Sequence, residues 1–392
     1  MTNETTKEGS VSDPLAEEQR ELLDVVASFA RDEIAPAADR YERAHEFPRA
    51  LFDQLARMDL AGLPFPADVG GSALPYRVYL MVVEELSRAF LALGMGLSVH
   101  TLATWGIEAH ATPEQRQRFV PDLVTGTRLG AYALSEPGSG SDAAAMTTRA
   151  RRDGDGYRLD GVKAWVTHGG VADTYLVLAR TGDEGPRGIS AFVLDADQPG
   201  LTPARPESKM GLWASPTAQL VLEDAPVPAD RRIGEEGEGF RVAMAALDGG
   251  RLGIAACAVG LGQAALDVAL DHAREREQFG RPIIGFQGVS FMLADMATRT
   301  EAARALYRTV AVERDRGALV TRGAAMAKLF ATEAAMVTTT DAVQVLGGSG
   351  YTTEFPVERY MREAKVLQIV EGTNQIQRLV IGRQLARGAG AT

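Results

Sequence analysis

The chain has 392 residues, a formal net charge of −11 and a hydrophobic content of 45%. That length is too great for one compact core and predicts two or three packed subdomains. The negative charge, with no prominent basic run, excludes a nucleic-acid-binding role. Cys257 is the only cysteine, so an intrachain disulfide framework is excluded and a reducing compartment is expected. Its apolar neighbours predict a buried position in a helix.

The polar start of the chain lacks the apolar segment of a signal peptide. No uninterrupted apolar stretch reaches the ~20 residues of a membrane span. We therefore expect a cytoplasmic protein without a membrane partner. Residues 1–12 are predicted to be a disordered tail.

Helical patterns dominate the first third of the chain. Asp13 and Pro14 are typical of an N-cap and a first-turn proline, and apolar residues then recur at helical spacing from Leu22 to Ile34. Pro36 predicts the end of that first helix. Further helical segments continue to about residue 130, so residues 13–130 are predicted as an N-terminal α-helical domain.

Short β-rich runs separated by Gly, Pro and Asp fill residues 131–237 and predict a small β-domain. Residues 175–178 and 189–194 are two of these runs. The sequence Asp153-Gly154-Asp155-Gly156 is typical of a hairpin turn.

A glycine- and serine-rich loop, residues 135–142, follows the first run. It fits the pattern G-x-G-x-x-A, but no helix follows it, so we reject a Rossmann site. Its freed N–H groups and hydroxyls suit a phosphate or a flavin edge, and an ordinary polar loop fits the residues equally well.

Residues 163–170 predict a strand that ends in paired glycines. Trp165 and Thr167 alternate along it, and one strand face could stack on a flat ring. A tryptophan buried in the sheet core is the stronger reading without further context.

Long helical patterns return after Phe240 and predict a C-terminal domain over residues 238–387, with a tail over residues 388–392. A stripe from Val289 to Ala303 is typical of helix-bundle core. Residues 344–351 predict a helix end followed by a glycine turn.

Glu371 lies in a loop between apolar residues and is followed by Gly372. A carboxylate partly removed from water has a raised pKa, which suits a catalytic base near neutral pH. The alternative is that one helix ends near Ile369, Thr373 and Asn374 cap the next, and Glu371 faces solvent.

Together these segments resemble the acyl-CoA dehydrogenase family. The resemblance extends from about Asp13 to Gln384. Besides the two β-domain segments and the glycine turn, it rests on Arg276-Glu277-Gln278-Phe279-Gly280, on Gln287 and on the Glu371-Gly372-Thr373 signature.

The resemblance implies an α+β fold: an N-terminal helical domain, a central β-barrel-like domain and a C-terminal four-helix bundle. It implies bound FAD, an acyl-CoA substrate, an electron-transferring flavoprotein as partner and a homotetramer built as a dimer of dimers. In the family a glutamate takes the α-proton of the acyl group while the β-hydride passes to flavin N5, giving a trans-2-enoyl-CoA. Glu371 matches that glutamate, and its N–H would polarise the thioester carbonyl together with a ribityl hydroxyl of FAD.

The resemblance also implies contact residues. FAD contacts carry over to Tyr132, Ala133, Leu134, Ser135, Gly140, Ser141, Trp165, Val166, Thr167, Thr373 and Gln375, and, from a neighbouring subunit, to Arg276, Phe279, Gln287, Gln344, Val345, Gly347 and Gly348. Substrate contacts carry over to Ser141, Asp248, Arg251 and Gly372. For Arg276 the alternative is a surface salt bridge. No metal site is expected, because the five histidines show no ligand spacing.

Three positions depart from the family pattern. Val370 stands where many members have an aromatic residue, so a wider acyl pocket is expected there. Trp213 replaces an expected arginine. Gly250 occupies the position from which some branches supply their base, which leaves Glu371 as the matching candidate.

A short- or medium-chain acyl-CoA, with branched acyl groups included, is the expected substrate. The alternatives are a flavin-dependent acyl-CoA oxidase or monooxygenase that uses oxygen, and a non-catalytic acyl-CoA-binding protein. The monooxygenases do not need the base, so Glu371 argues against them.

Overall fold

The computed structural model describes residues 14–386 and residue 388. The predicted tail over residues 1–12, Asp13, residue 387 and residues 389–392 lie outside the described residues. The described chain has the predicted order of helices, then a sheet, then helices. The N-terminal helices are α1 (Glu17–Phe29), α2 (Ala35–Ala44), α3 (Arg49–Arg57), α4 (Tyr76–Ala89), α5 (Leu91–Glu108), α6 (Pro113–Phe119) and α7 (Pro121–Val124).

The first helical segment differs from its prediction at both ends. Helix α1 begins at Glu17, after Pro14, and the Gln19 side chain accepts the N–H of Ala16 (3.3 Å) at its start. Pro36 does not end the helical run, because a π-helical segment over Ala30–Ile34 leads directly into α2. Pro36 is the second residue of α2 and lies where the π-helical ladder changes to the α-helical one, since the Ala35 N–H bonds the Ala30 carbonyl five residues back.

The middle of the chain forms an eight-stranded sheet. Its strands are β1 (Gly130–Ala133), β2 (Arg149–Asp153), β3 (Gly156–Thr167), β4 (Thr174–Arg180), β5 (Ile189–Asp195), β6 (Leu201–Pro203), β7 (Thr217–Pro228) and β8 (Arg232–Ile233). Their order in the sheet is β6-β7-β3-β2-β4-β5-β8, with β1 pairing in parallel to β4. Two predicted runs are the neighbouring antiparallel strands β4 and β5, with Tyr175 opposite Leu194. The predicted hairpin is also confirmed, since β2 and β3 pair through Asp153 and Gly156.

Three long helices, two shorter helices and a small hairpin form the C-terminal part of the described chain. The elements are α8 (Gly239–Glu275), β9 (Glu277–Gln278), β10 (Arg281–Pro282), α9 (Gln287–Asp315), α10 (Thr321–Leu346), α11 (Val357–Leu367) and α12 (Asn374–Ala386). The predicted stripe on α9 is confirmed as core, because Leu293, Met296, Thr300 and Ala303 are buried.

Helix α8 joins the domains. It has 37 residues and packs against α4 and α5 as well as α9 and α10. Cys257 lies on it and is fully buried, as predicted. By length and composition α8 is the one helix among the described residues that resembles a membrane span, but 78% of its most apolar window is buried inside the protein.

Candidate active site

Glu371 lies in the loop that joins α11 to α12. Its φ is 52° and that of Gly372 is 88°, so two consecutive residues are left-handed. The Thr373 hydroxyl accepts the N–H of Ile376 (3.3 Å), which confirms the predicted cap. A left-handed non-glycine residue costs free energy, and such residues are enriched at functional sites.

The carboxylate of Glu371 points into the protein. Both of its oxygens are buried, and neither has a hydrogen-bond partner among the residues that the structure describes. The alternative interpretation, in which Glu371 faces solvent, is therefore wrong. An unpartnered buried carboxylate is costly unless a ligand completes its surroundings.

Gly250 on α8 provides the space for this carboxylate. A Cβ atom built on Gly250 would lie 2.0 Å from Glu371 Oε2 and 3.2 Å from Leu102 Cδ1. Any side chain at this position would collide with the carboxylate in its present place. We call the loop that carries Glu371, residues 368–373, the base loop. It is in direct contact with the middle of α8 at Gly250.

Burial sets the protonation of Glu371. It raises the pKa of the carboxyl to about 7, against the opposing charges of Lys328 and Arg251. A carboxyl with a pKa near 7 can accept a proton at neutral pH and hold it. The arrangement therefore suits a general base.

A narrow cavity runs from Gly250 between α4, α5, α8 and α9. The space in it that the centre of a water molecule can occupy is about 10 Å³, roughly what one water molecule needs. Arg314 lines it with its guanidinium carbon 3.7 Å from the centre of the Tyr76 ring. The lining residues are Tyr76, Ser98, Thr101, Leu102, Trp105, Ala246, Gly249, Gly250 and Arg314.

The predicted substrate residues of α8 flank Gly250. Arg251 is buried and donates to Asp248 (2.5 Å), which also accepts the Thr321 hydroxyl (2.6 Å). Gly372 lies in the base loop, so these three predicted residues fall close together. Ser141 is exposed on a different loop, after β1.

The loop after β1 and the end of β3 form a second part of the site. The Ser135 carbonyl accepts the N–H of Ala164 (2.8 Å), which holds the loop against β3. Trp165 is 62% exposed and has a φ of 60°. The interpretation of Trp165 as a buried core residue is therefore wrong, and its ring is free to stack on a ligand.

The other predicted flavin residues of these two segments divide by burial. Tyr132, Ser135 and Thr167 are half-buried, and Gly140 is exposed with open space where a Cβ would stand. The side chains of Ala133, Leu134 and Val166 belong to the core, so only their backbone groups can face a ligand. An exposed indole beside an open glycine loop with free backbone groups fits the flat ring and polar edge of a flavin.

The flavin residues predicted to come from a neighbouring subunit lie at one end of the helix bundle. Phe279, in the β9–β10 hairpin, is 94% exposed. The end of α8, just before Arg276, lies 25 residues beyond Gly250, roughly 37 Å along the helix. Val345 is buried, whereas Arg276, Gln287, Gln344, Gly347 and Gly348 are exposed.

A second cavity, of about 130 Å³, lies behind the base loop. It includes Thr373 and Gln375, the residues predicted to contact the adenine and pyrophosphate half of FAD. Its walls are mostly polar, and Lys365 and Arg378 bring two positive charges to them. The other lining residues are Glu333, Gln368, Ile369 and Asn374.

The sequence did not predict the buried ion pair between Lys163 and Glu136, beneath the loop that follows β1. Lys163 is fully buried and donates to Glu136 Oε1 (2.8 Å) and to the carbonyl of Leu134 (3.1 Å). Glu136 also accepts the N–H groups of Thr147 and Thr148, and its pKa is lowered to about 2, mainly by Lys163 against the effect of burial. The signal was present, since Lys163 occupies a core-facing position among apolar residues of β3.

Two histidines hold the strand that leads into the same loop. His100 accepts the N–H of Gly130 (2.9 Å), and His168 Nδ1 lies 3.0 Å from the Gly130 carbonyl. Burial lowers the pKa of both imidazoles to about 4. Within the described residues no group of three or more His, Cys, Asp or Glu side chains is placed to hold a metal ion.

The other two departures from the family pattern, Trp213 and Val370, pack against neighbouring residues. Trp213 stacks on His45, with ring centres 4.6 Å apart, and lies under the Arg362 guanidinium. Val370 is half-buried and packs against the main core. It does not line the cavity at Gly250, so nothing in the structure supports the expected wider pocket there.

The family models of all three acyl-CoA dehydrogenase domains match the chain. The N-terminal domain matches residues 16–127, the middle domain residues 131–225 and the C-terminal domain residues 237–386.

Curated relatives match almost end to end. An acyl-CoA dehydrogenase of Bacillus subtilis is 46% identical over 95% of this chain and 99% of its own. The short-chain-specific acyl-CoA dehydrogenase of Clostridium acetobutylicum is 42% identical over 95% and 99%. The mitochondrial isobutyryl-CoA dehydrogenase of Dictyostelium discoideum is 40% identical over 95% and 90%.

Two solved structures share the fold closely. The butyryl-CoA dehydrogenase of Megasphaera elsdenii superposes with a TM-score of 0.94 at 40% identity, over 96% of this chain and 100% of its own. A chain from the structure of the electron-transferring flavoprotein of Acidaminococcus fermentans gives 0.94 at 44% identity, over 96% and 100%. Domain matches, full-length relatives and fold agree: the chain belongs to the acyl-CoA dehydrogenase family and is an FAD-dependent oxidoreductase.

Proposed function

We propose that this protein oxidises a short-chain acyl-CoA to the trans-2-enoyl-CoA, with Glu371 as the base. The observation that carries the proposal is the buried, unpartnered carboxylate of Glu371 against Gly250, with a pKa near 7. It is a base placed where water is scarce, at the mouth of a narrow cavity. A bound acyl group would place its α-carbon there.

The base loop also offers a donor for the thioester carbonyl. Within the described residues, the N–H of Glu371 makes no hydrogen bond to another group. A free N–H beside the base can stabilise the negative charge that develops on the carbonyl oxygen as the α-proton leaves. One residue thus takes the proton and stabilises the enolate.

The flavin side of the site comes from Trp165, Ser135 and the open loop at Gly140. FAD bound there would supply the acceptor for the β-hydride, its N5. The indole of Trp165 and the backbone groups of the loop would hold the ring. Thr373, Gln375 and the 130 Å³ cavity around them would take the adenine and pyrophosphate half.

The cavity at Gly250 supports a short acyl group. Its free volume is small, and Arg314 and Tyr76 stand among its lining residues. Pushing an apolar chain against a guanidinium would remove that charge from water without a counter-charge, which is unfavourable. The short-chain and isobutyryl-CoA relatives favour the same range, including a branched acyl group.

Two partners complete the proposal. An electron-transferring flavoprotein would reoxidise the flavin, as the likeness to a chain from such a structure suggests. A second copy of this chain would receive Arg276, Gln287 and Gln344, because these residues lie at the exposed end of the bundle beside exposed Phe279. A dimer of dimers in the cytoplasm is the assembly that we propose.

An anaerobic titration tests the function. The purified protein, loaded with FAD, should be reduced by butyryl-CoA and only slowly by palmitoyl-CoA, as seen in the flavin absorbance. Reoxidation by an electron-transferring flavoprotein should be much faster than by oxygen. Failure of every acyl-CoA to reduce the flavin would refute the proposal, and faster reoxidation by oxygen would make the protein an oxidase.

A further inference from the structure

Lys328 on α10 is a fully buried lysine that touches the base loop. It is 0% exposed, and its Nζ donates to the Gly372 carbonyl (3.0 Å) and to Asn374 Oδ1 (3.0 Å). Both acceptors are neutral. Burying a lysine is costly, and such a residue is retained in a core only where its charge or its donors are needed.

The contacts of Lys328 explain how the loop keeps its shape. The left-handed pair Glu371-Gly372 turns its carbonyls towards α10 and α12. Gln377 Nε2 lies 3.2 Å from the Glu371 carbonyl and 2.8 Å from the Gly372 carbonyl, and Lys328 supplies a further donor to the latter. Without these donors the strained turn would leave buried carbonyls unsatisfied.

Of the two cations that act on Glu371, Arg251 has a carboxylate partner of its own and Lys328 has none among the described residues. Lys328 on α10 and Arg251 on α8 lower the pKa of Glu371. The other ionisable groups that face Glu371 are Tyr76 on α4, Tyr132 on β1 and Cys257 on α8, whose pKa values its negative charge raises. Arg251 is already paired with Asp248 at 2.5 Å. Among the described residues no carboxylate lies within ion-pair distance of Lys328, so its charge is available to the Glu371 carboxylate.

We propose that Lys328 is a positioning residue for the base: its ammonium fixes the Glu371-Gly372 turn and supplies the positive charge that keeps the Glu371 carboxylate ready to accept the α-proton. The inference rests on the proposed function, since it assumes that Glu371 is the base. Lys328 does not touch the reacting atoms. Its influence passes through the Gly372 carbonyl and through its electrostatic field.

The direction in which Lys328 shifts the pKa of Glu371 follows from their opposite charges. Burial raises the pKa of Glu371 to about 7, and Lys328 opposes that rise. Burial lowers the pKa of Lys328, and the negative charge of Glu371 opposes that fall, so an ionised Glu371 favours the ammonium form of Lys328. Removing the ammonium should therefore raise the pKa of Glu371 further and leave it protonated at neutral pH.

Three substitutions of Lys328 separate charge from hydrogen bonding. Lys328→Met removes both, Lys328→Gln keeps a donor without the charge, and Lys328→Arg keeps both. The control is Arg322→Met, which removes a positive charge from the exposed surface of the same helix. Each protein is loaded with FAD, and the rate of flavin reduction by butyryl-CoA is measured from pH 5.5 to 9.5.

We expect Lys328→Met and Lys328→Gln to keep their FAD and to move the pH of half-maximal rate upward by about one unit or more, the shift typical of losing a nearby opposite charge. At pH 7 the rate should fall at least about 5-fold, because a one-unit rise cuts the ionised fraction of Glu371 from about one half to about one eleventh. Lys328→Arg should keep the pH of half-maximal rate within about half a unit of the wild type, as should Arg322→Met. If Lys328→Met fails to fold, Lys328→Gln gives the answer.

Two results separate the inference from the proposed function. A wild-type protein that no acyl-CoA reduces would refute the function itself. A wild type that is active, with Lys328→Gln slower but unchanged in its pH of half-maximal rate, would show that Lys328 is only structural and would overturn the inference alone.

Discussion

Gly250 is the position at which a single methyl group should disable the base. A Cβ there would lie 2.0 Å from Glu371 Oε2, whereas Cβ contacts below 3.0 Å are essentially never observed, so the carboxylate must retreat by at least about 1 Å. Misplacing a catalytic group by ~1 Å costs about 10²-fold in rate. Gly250→Ala should therefore reduce the rate constant for flavin reduction by butyryl-CoA about 100-fold.

The same substitution should not harm the fold. Gly250 is inside α8, where alanine is the better helix former by about 1 kcal/mol, and the atom it meets first belongs to a flexible side-chain end. Thermal stability and FAD content should equal or exceed those of the wild type.

The matched control is Gly262→Ala on the same helix. Its Cβ would meet Thr300 Oγ1 at 3.4 Å, an ordinary contact, so its reduction rate should stay within about twofold of the wild type. Stopped-flow flavin absorbance measures both variants. If Gly250→Ala, fully loaded with FAD, were reduced at the wild-type rate, the carboxylate would not lie over Gly250 in the reacting complex.

Three further outcomes are expected. Lys163→Met should lower the free energy of unfolding by about 3–5 kcal/mol in a denaturant titration, because it leaves Glu136 buried without its cation; a loss below about 1 kcal/mol would show that Glu136 is satisfied by its other donors. Arg314→Met should raise kcat/KM for octanoyl-CoA relative to butyryl-CoA by at least ~10-fold, since one extra methylene in a suitable pocket is worth about that much, and an unchanged ratio would mean that Arg314 does not limit the acyl chain. The wild-type rate of flavin reduction should rise with pH through about 7 and then level off, because Glu371 must lose its proton to act. A rate that fell across this range would show that the reaction depends on a protonated group instead of an ionised Glu371.

The order of domains could be predicted from the sequence because the hydrophobic period changes from helical to strand-like and back. The runs that became β4 and β5, the β2–β3 hairpin and the stripe on α9 all follow from local patterns. Pro36 could not be placed in this way. Its effect depends on the π-helical segment before it, which resets the helical register without a sequence signal.

The functional site, like the fold, could be predicted from the sequence only in part. Glu371 and Gly372 stand out in the sequence as an acid and a glycine in a loop, but their left-handed pair and the contact with Gly250 arise from tertiary packing across 121 residues of chain. Lys328 was missed because its neighbours on α10 are small apolar residues, and a lysine among them is read as a surface residue. Its burial and its hydrogen bonds to Gly372 and Asn374 arise from tertiary packing and carry the proposal that it holds the loop.

The most direct test of the account is α-proton exchange in Glu371→Gln. The amide keeps the size of the side chain but cannot accept a proton, so the loss should be the ~10²–10⁴-fold typical of a missing general base. In deuterated buffer the FAD-loaded wild type should exchange the α-proton of a bound acyl-CoA, while Glu371→Gln should bind FAD and the thioester yet exchange it at least about 100-fold more slowly. Exchange at the wild-type rate in Glu371→Gln would contradict the account and require another residue as the base.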